Sequence, residues 1–437
     1  MPGLNSWYDQ DSVISYTNDE LRIEQEELPE DLRKKRGFIL AGTVLVNIII
    51  WTLAYYLQND VWALTINSLG QRKNIWPAFD WYFRAMAFGL NLVSRFFIAL
   101  AFMFIYKKAV AIKIICLHAV NYLITWYLIL GIKSKRVGFE DVPENQNQGC
   151  ICVFGMPSST TSEVTIGLLL FFYELAVKPK HISWRTKTFM KVLCFFLICN
   201  FILTKLYFGS HTTTQALTGA CVACLTFSVS LLLEDYLTNY FSNFLYANFH
   251  YAAPLYTIFM LITLMNLIGL PLVMEYTVEN FKGYTSKVCF VCFSNNLLEI
   301  RKFITVAFQY NSLVLGLLVG TRLLSPRVQA DVEKVTNLTD HISWKGIFRI
   351  AIMLVIHLPL LIITQPLSQS ANMKMFLLIY TVVYVSVGFN MSFVFTWICR
   401  KLKLEFEGDL ERKRVGTGLS VSDATDVAKE SWYSKAK

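Results

Sequence analysis

The sequence predicts an all-α polytopic membrane protein, and three observations carry that prediction. Hydrophobic residues make up 54% of the 437 residues and charged residues only 16%, which is more apolar surface than a soluble domain of this size can bury. The apolar residues form long runs of the length that a helix needs to cross a bilayer. Lys and Arg lie in short clusters beside those runs, as expected for cytosolic loops. This clustering argues against a nucleic-acid groove, although the net charge is +9.

Ten apolar runs are candidate transmembrane helices, because their lengths approach 20 residues. They lie at about 38–57, 86–106, 109–132, 163–178, 190–204, 216–233, 252–274, 303–321, 346–364 and 376–398. The segments Trp62–Leu69 and Trp76–Phe83 are predicted to be interfacial, since their aromatic side chains suit headgroup depth.

The runs divide the chain into four parts. Residues 1–37 are polar and acidic and are predicted to be a cytosolic segment, and residues 400–437 a flexible cytosolic tail. Between them, residues 38–235 form one transmembrane unit and residues 236–399 a second, C-terminal unit of four spans. An even number of spans places both termini on the side that carries the Lys and Arg clusters.

On this topology the loops 133–162 and 205–215 emerge together on the lumenal side. Lys113 and Lys178 fall on the cytosolic side, together with the basic cluster that ends at Arg36. One conflict with the charge rule remains, because the loop after Leu233 carries acids and no Lys or Arg.

The ten cysteines predict neither a metal site nor a disulfide framework. Most of them lie in or beside apolar helices, where Cys behaves as a small hydrophobe. The Cys-x-Cys and Cys-x-x-Cys pairs in two loops have no supporting His residues, so no metal is predicted. Gly316 and Gly320 form a G-x-x-x-G, a helix-packing signal that can be satisfied entirely inside the bundle.

Two loop segments carry the chemical information. Residues 204–215 read TKLYFGSHTTTQ, and residues 156–160 in an earlier loop read MPSST. A phosphoester site needs cationic or N–H donors for the phosphoryl oxygens, a nucleophile, a group that orients it and an acid for the leaving group. These segments resemble the type 2 phosphatidate phosphatase superfamily, whose pattern is K-x6-RP, then PSGH, then SR-x5-H-x3-D. Within it they are most similar to sphingosine-1-phosphate phosphatases, whose second motif reads MPSTH.

The resemblance implies a catalytic role for three positions. His211 stands at the nucleophile, which forms a phosphohistidine in the family. Gln215 takes the place of the Asp that orients that His, and Thr160 takes the place of the His that protonates the leaving group. The resemblance also implies a six-helix lipid-phosphatase-like core within residues 38–235 and chemistry that needs no metal or other cofactor.

Three further positions are implied to bind phosphate. Lys205 stands at the Arg of the third motif, and Ser158 at the Ser of the second. Arg136 is the arginine of the first motif, in which Val137 replaces Pro and Ile129 stands where Lys is expected.

The substitutions remove the groups that handle protons. Thr160 cannot act as a general acid near neutral pH, a role worth about 10²–10⁴ in rate. Gln215 can form hydrogen bonds but carries no negative charge to stabilise an imidazolium. Lys205 keeps a positive charge but lacks the two-pronged guanidinium. The sequence therefore predicts a pseudo-phosphatase that binds lipid phosphate or acts as a scaffold.

Two alternatives stay open. The first is an active lipid-phosphate phosphohydrolase in which His211 still attacks and Glu140, Asp141 or Glu163 supplies the proton. The second is an accessory subunit of a larger membrane complex. The predicted partners are membrane lipids, including lipid phosphates, and a protein partner, but no nucleic acid. The resemblance favours the endoplasmic reticulum membrane as the location.

Overall fold

The computed structural model is helical throughout the part of the chain that it describes, as the sequence predicts. It describes residues 30–56, 77–92, 108–132, 134, 155–178, 182–208, 210–237, 240, 253–265, 311–321, 323, 348, 351–352, 355 and 373–402. The first six helices are α1 (Glu30–Tyr56), α2 (Pro77–Leu92), α3 (Lys108–Ile132), α4 (Ser159–Phe172), α5 (Trp184–Tyr207) and α6 (Thr213–Leu232). They are followed by α7 (Ala253–Met265), α8 (Asn311–Thr321), α9 (Met373–Phe389) and α10 (Phe395–Lys401). Two π-helical turns, Tyr173–Val177 and Asn390–Val394, continue α4 and α9.

Four segments are long and apolar enough to cross a bilayer. They are Lys34–Ala54, Ile112–Ile132, Trp184–Tyr207 and Thr213–Leu232. Shorter apolar helices coincide with four further predicted spans, at Ser159–Phe172, Ala253–Met265, Asn311–Thr321 and Leu378–Val394. These helices are consistent with a membrane protein. The count of about ten spans stays a prediction, because residues 266–310, 324–347 and 356–372 lie outside the described residues.

Helix α4 is the central element of the bundle and packs against α3, α5 and α6. It begins at Ser159, four residues before the predicted start of its span, because the Ser158 side chain accepts a hydrogen bond from the Thr161 N–H and caps the helix. One face of α4, including Val164 and Leu168, packs with residues of α2 and α5. Another face packs with residues of α3, α6, α7, α8 and α9. The N-terminal and C-terminal units therefore share one apolar core.

Helix α2 differs from the sequence prediction. Residues 77–83, expected in an interfacial piece, form its first turns, and its first residue is a proline, for which a missing N–H has no cost at that position. The Tyr82 hydroxyl donates to Asn200 Oδ1 at 2.8 Å. The ring of Phe83 stacks on that of Tyr207, with centroids 4.4 Å apart. Asn200 and Tyr207 are both on α5, so the first turns of α2 pack against α5.

The bundle has an apolar exterior and a partly polar interior. Only 11% of the apolar window of α1 and 22% of that of α5 is buried. Polar side chains such as Asn121, Ser162 and Thr218 are by contrast fully or almost fully buried. The Asn121 side-chain N–H donates to Ser162 Oγ at 2.9 Å, which ties α3 to α4. This arrangement is expected where lipid covers the outside and small polar residues join the helices.

Helices α8 and α9 cross with their backbones in contact. A Cβ added to Gly316 would lie 1.9 Å from the Val385 carbonyl oxygen, and one added to Gly388 would lie 2.1 Å from that of Leu313. A Cβ at Gly320 would lie 2.1 Å from a side chain of the second π turn. The predicted G-x-x-x-G is therefore used inside the bundle, where glycine permits the close approach.

The basic residues assigned to the cytosolic side gather at one end of the bundle. Arg36 Nη1 lies 2.7 Å from Asp235 Oδ2, and Lys178 Nζ lies 2.5 Å from Glu234 Oε1. The acids after Leu233 thus pair with the bases of that side, which explains why their loop lacks its own Lys and Arg. The described residues of the two loops with the candidate chemistry, 134, 155–162, 205–208 and 210–215, lie at the other end.

Candidate functional site

Two backbone hydrogen bonds position the candidate loops, one within residues 133–162 and one between the two loops. The Gly155 N–H donates to the Ser134 carbonyl just after α3, at 2.8 Å. The Ser158 N–H donates to the Gln215 carbonyl in the first turn of α6, at 2.9 Å. The end of α3, the start of α4 and the start of α6 therefore meet at one point, and all four residues are buried. Residues 156–160 and 204–215 are therefore in contact at Ser158 and Gln215, as the predicted topology requires.

Gly219 sets how closely these elements approach. A Cβ at this position would lie 2.4 Å from the Ser158 carbonyl oxygen and 3.2 Å from its carbonyl carbon. Gly155 makes a similar approach to the side chain of Gln215, whose atoms lie 2.5–2.6 Å from the position of an added Cβ. The absence of a side chain at Gly155 and Gly219 thus allows residues 155–158 to pack directly against the first two turns of α6.

Ser158 and Thr160 lie at the start of α4. The Ser158 hydroxyl is inaccessible and lies 2.9 Å from Thr161 Oγ1 and 3.4 Å from Thr160 Oγ1. Its oxygen also accepts the Thr161 N–H at 3.3 Å. Thr160 is half-buried on the first turn. Thr160, at which the resemblance predicts the general-acid position, therefore carries its hydroxyl beside the serine predicted to bind phosphate.

Lys205 lies in the last turn of α5, and His211 lies in the connection from α5 to α6. The N–H and the hydroxyl of Ser210 both donate to the Lys205 carbonyl, at 3.1 and 3.2 Å. His211 follows directly, is 4% exposed, and its Nδ1 lies 3.3 Å from Ser210 Oγ. The Lys205 ammonium lies 4.9 Å from the centroid of the Phe201 ring, a cation–π distance.

Gln215 has a structural function that the sequence interpretation missed. Its N–H donates to Thr212 Oγ1, and its side-chain oxygen accepts the Thr212 N–H, both at 3.2 Å. This reciprocal pair is a capping box that starts α6. The signal was present in the sequence as Thr-x-x-Gln before an apolar run. The Gln215 side-chain amide thus caps the start of α6 through its oxygen.

The starts of α4 and α6 give the site its electrostatic character. The two helices have 14 and 20 residues, and neither carries an acid in its first turn. Each helix N-terminus presents N–H groups and a partial positive charge, which favour an anion. The N-termini of α4 and α6 converge at the Ser158–Gln215 contact. His211 precedes α6 by two residues, and Lys205 lies in the last turn of α5. The arrangement can stabilise negative charge, and at the Thr160 and Gln215 positions it has no group that ionises near neutral pH.

Several predicted residues cannot be placed in this geometry. Arg136, Glu140 and Asp141 lie outside the described residues. Glu163, the remaining candidate proton donor, lies on α4 and is 3% exposed. Within the described ranges no group of three or more His, Cys, Asp or Glu is placed to hold a metal ion. The described cysteines of α3, α5 and α6 are free thiols.

Comparisons with known proteins give no further assignment. The chain matches no protein-family model, no curated protein and no solved structure.

Proposed function

We propose that this chain is a membrane protein with a lipid-phosphatase-like frame that binds the phosphate of a lipid headgroup and does not hydrolyse it. The observation that carries the proposal is the hydrogen bond from the Ser158 N–H to the Gln215 carbonyl, which joins the two motif segments at the starts of two helices. We expect a phosphate at this point to accept hydrogen bonds from the helix N–H groups, with the Lys205 ammonium and the His211 imidazole as its further predicted partners.

The same residues argue against turnover. Hydrolysis of a phosphomonoester needs a proton for the leaving alkoxide and, for a histidine nucleophile, a partner for the imidazolium that forms. Thr160 has a hydroxyl, which does not donate its proton near neutral pH. The side-chain oxygen of Gln215 accepts the Thr212 N–H and carries no charge. Protonation of the leaving group and stabilisation of the imidazolium act in the same reaction step. The loss of both groups therefore slows that one step.

The proposal is tested with purified full-length protein. Vesicles that contain phosphatidate or sphingosine-1-phosphate should bind, with no phosphate released. Lys205→Ala should weaken binding about tenfold, the loss of one charge-assisted contact. Lys191→Ala is the matched control, because this exposed lysine lies on the same helix about 21 Å away. Equal binding by both variants would refute the assignment of the site. Phosphate release that His211→Ala abolishes would refute the claim of inactivity.

A double substitution asks whether the frame can still support chemistry. Thr160→His with Gln215→Asp restores the acid and the orienting carboxylate of the family pattern. Hydrolysis gained by this variant and lost again with His211→Ala would support descent from a lipid phosphatase. The thermal stability of the variant must be measured alongside, because Gln215→Asp shortens the side chain of the capping box.

An active divergent phosphatase is the second candidate, and one observation favours it. Glu163 is a carboxylic acid buried on α4, the helix that Ser158 caps. A carboxyl group on this helix is a candidate proton donor for the leaving alkoxide. Hydrolysis by the natural sequence that Glu163→Gln removes, with phosphate binding retained, would establish this alternative.

The remaining parts of the proposal concern architecture and place. We infer about ten spans with both termini in the cytosol, and a location in the endoplasmic reticulum by resemblance to the family. Accessibility of cysteines introduced into residues 1–29 and 403–437, in intact and permeabilised cells, tests the orientation. A tagged chain that localises to another membrane would correct the location without affecting the site. A protein partner that copurifies and covers the site would favour the accessory-subunit alternative.

A further inference from the structure

A second group of charged side chains lies at the opposite end of the same helices. This charge cluster consists of Lys113, Glu174, Lys178 and Glu234. The Lys113 ammonium donates to both Glu234 carboxylate oxygens, at 3.0 and 3.2 Å, and also to Glu174. Lys178 Nζ lies 2.5 Å from Glu234 Oε1 and 3.5 Å from Glu174 Oε2. Each ammonium therefore contacts both carboxylates.

The composition of the charge cluster argues against a binding site for an ion. Two ammonium groups and two carboxylates balance, so the cluster offers no net charge to a ligand. Lys113 and Glu174 are each 2% exposed, and Glu234 is 5% exposed. Buried charges of this kind are strongly unfavourable unless each is paired, and loss of one partner leaves the remaining charges uncompensated. The cluster is therefore a rigid connection whose members depend on one another.

The helices that the charge cluster connects are those that build the candidate site. Lys113 is on α3, and Ser134 follows the other end of that helix. Glu174 is in the π turn that continues α4, and Ser158 caps the other end of α4. Glu234 follows α6 directly.

At its start, α6 provides Gln215. The 19 residues from Gln215 to Glu234 span about 28 Å at 1.5 Å per residue. The same three helices are thus joined at both ends, across about the thickness of a bilayer core.

Contacts between the two ends couple them mechanically. Ser162 Oγ on α4 lies 3.0 Å from Thr125 Oγ1 and accepts from Asn121 Nδ2, and both partners are on α3. Gly219 of α6 meets the backbone of Ser158 without an intervening side chain. With these lateral contacts, a helix that slides or rotates at the cluster must move its site residue as well.

We propose that the charge cluster is a clamp that sets the axial position of α3, α4 and α6 and thereby holds the two motif segments together at the far end. Lys113 is the central member, since it is the most deeply buried cation and contacts the carboxylates of both other helices. Lys113, Glu174 and Glu234 are accordingly positioning residues for a site that they do not touch. The proposal concerns the fold and holds whether or not the site binds phosphate.

The test measures hydrogen exchange at the site after the clamp is broken. Lys113→Met should speed the exchange of the amides of Gly155 and Ser158 about tenfold or more, because their acceptors belong to α3 and α6. Lys113→Arg should keep this exchange slow, because arginine retains the positive charge at position 113. Arg36→Met is the matched control: it removes an ion pair at the same end, but one in which Asp235 is 51% exposed.

The control variant should leave exchange at the site unchanged. If Lys113→Met does not fold, the double variant Lys113→Met with Glu234→Gln is used, because it leaves Lys178 and Glu174 as a matched pair. The same acceleration is expected in that variant. Exchange at residues 155–162 that stays at the natural rate in the folded variants, while amides near Lys178 speed up, would overturn the clamp. Equal acceleration by Arg36→Met would overturn it as well.

Discussion

Gly219→Ala is the sharpest perturbation of the site that the structure offers. The added Cβ would lie 2.4 Å from the Ser158 carbonyl oxygen, with the Ser158 carbonyl carbon and nitrogen each at 3.2 Å. All three are backbone atoms, so no side-chain rotation relieves the contact. The start of α4 must move away from α6 by about 1 Å to reach the 3.4 Å of an ordinary van der Waals contact. That movement acts directly on the 2.9 Å hydrogen bond from Ser158 to Gln215.

The expected cost has three contributions. Overpacking of a close contact costs about 1–3 kcal/mol, and a weakened buried hydrogen bond adds about 0.5–1.5 kcal/mol. The higher helix propensity of alanine relative to glycine offsets this cost by up to about 1 kcal/mol. Gly219→Ala should therefore lower the free energy of unfolding by about 0.5–4.5 kcal/mol, and should weaken the proposed phosphate binding in parallel.

Thermal unfolding of the purified protein in detergent, compared across glycine variants, measures this effect. Gly42→Ala and Gly131→Ala are matched controls, because an added Cβ at either position meets nothing within 4 Å. Their melting temperatures should equal or exceed that of the natural sequence. A Gly219→Ala protein as stable as these two controls would show that the start of α4 does not rest on α6 as described.

Three further predictions use the same assay. Gly388→Ala should cost about 1–3 kcal/mol, because its Cβ would lie 2.1 Å from the Leu313 carbonyl oxygen and would force α8 and α9 apart. Thr212→Ala should cost about 1 kcal/mol by removing the acceptor for the Gln215 N–H, and Thr212→Ser should retain it. Burial alone would raise the pKa of Glu234, but the two lysine charges around it outweigh burial and hold that pKa below its ordinary value. This carboxylate therefore contributes stability above about pH 4.5 that is lost as the pH falls through its lower folded-state pKa.

Each of these predictions has a clear contrary result. An unchanged melting temperature for Gly388→Ala would contradict the backbone contact between α8 and α9. Equal melting temperatures for Thr212→Ala and Thr212→Ser would show that the capping box contributes no stability. For the pH dependence, Glu234→Gln should lose part of the acid-induced decrease in stability. If this variant and the natural sequence decline identically in acid, the charge around Glu234 is not what sets its pKa.

The sequence predicted the helices of the first half of the chain well, because the signal is local. Runs of apolar residues near bilayer length specify helices wherever they occur, and α3, α5 and α6 follow the predicted spans with ends shifted by a few residues. Helix starts were less accurate. Ser158 and Thr212 are readable as caps, but the span-length criterion gave them no weight.

The convergence of the two motif loops was also predictable, whereas the function of Gln215 was not. Counting spans and applying the charge rule placed both loops at one end, as the bond between Ser158 and Gln215 requires. The family resemblance predicts a catalytic role for position 215, whereas the structure shows Gln215 paired locally with Thr212, three residues away.

The charge cluster could not be predicted from the sequence. Lys113 pairs with carboxylates 61 and 121 residues away. No local pattern links these positions. From the sequence, Lys113 is predicted only to be a basic residue at the cytosolic end of a span. The acids after Leu233 appeared as a violation of the charge rule. Their partners become visible only when α3, α4 and α6 are packed together.

The π turn at Tyr173–Val177 has a consequence for how this chain can change in length. A wider turn holds one residue more than the α-helix around it, and in an α-helix each residue adds a rotation of about 100°. Deletion of a single residue here would convert the turn to regular helix while leaving Ser158–Phe172 undisturbed. It would also swing Lys178 about a quarter of the way around the axis, away from Glu234. A homologous chain one residue shorter at this point would keep its apolar core. It would need another cation in place of Lys178 to neutralise Glu174 and Glu234.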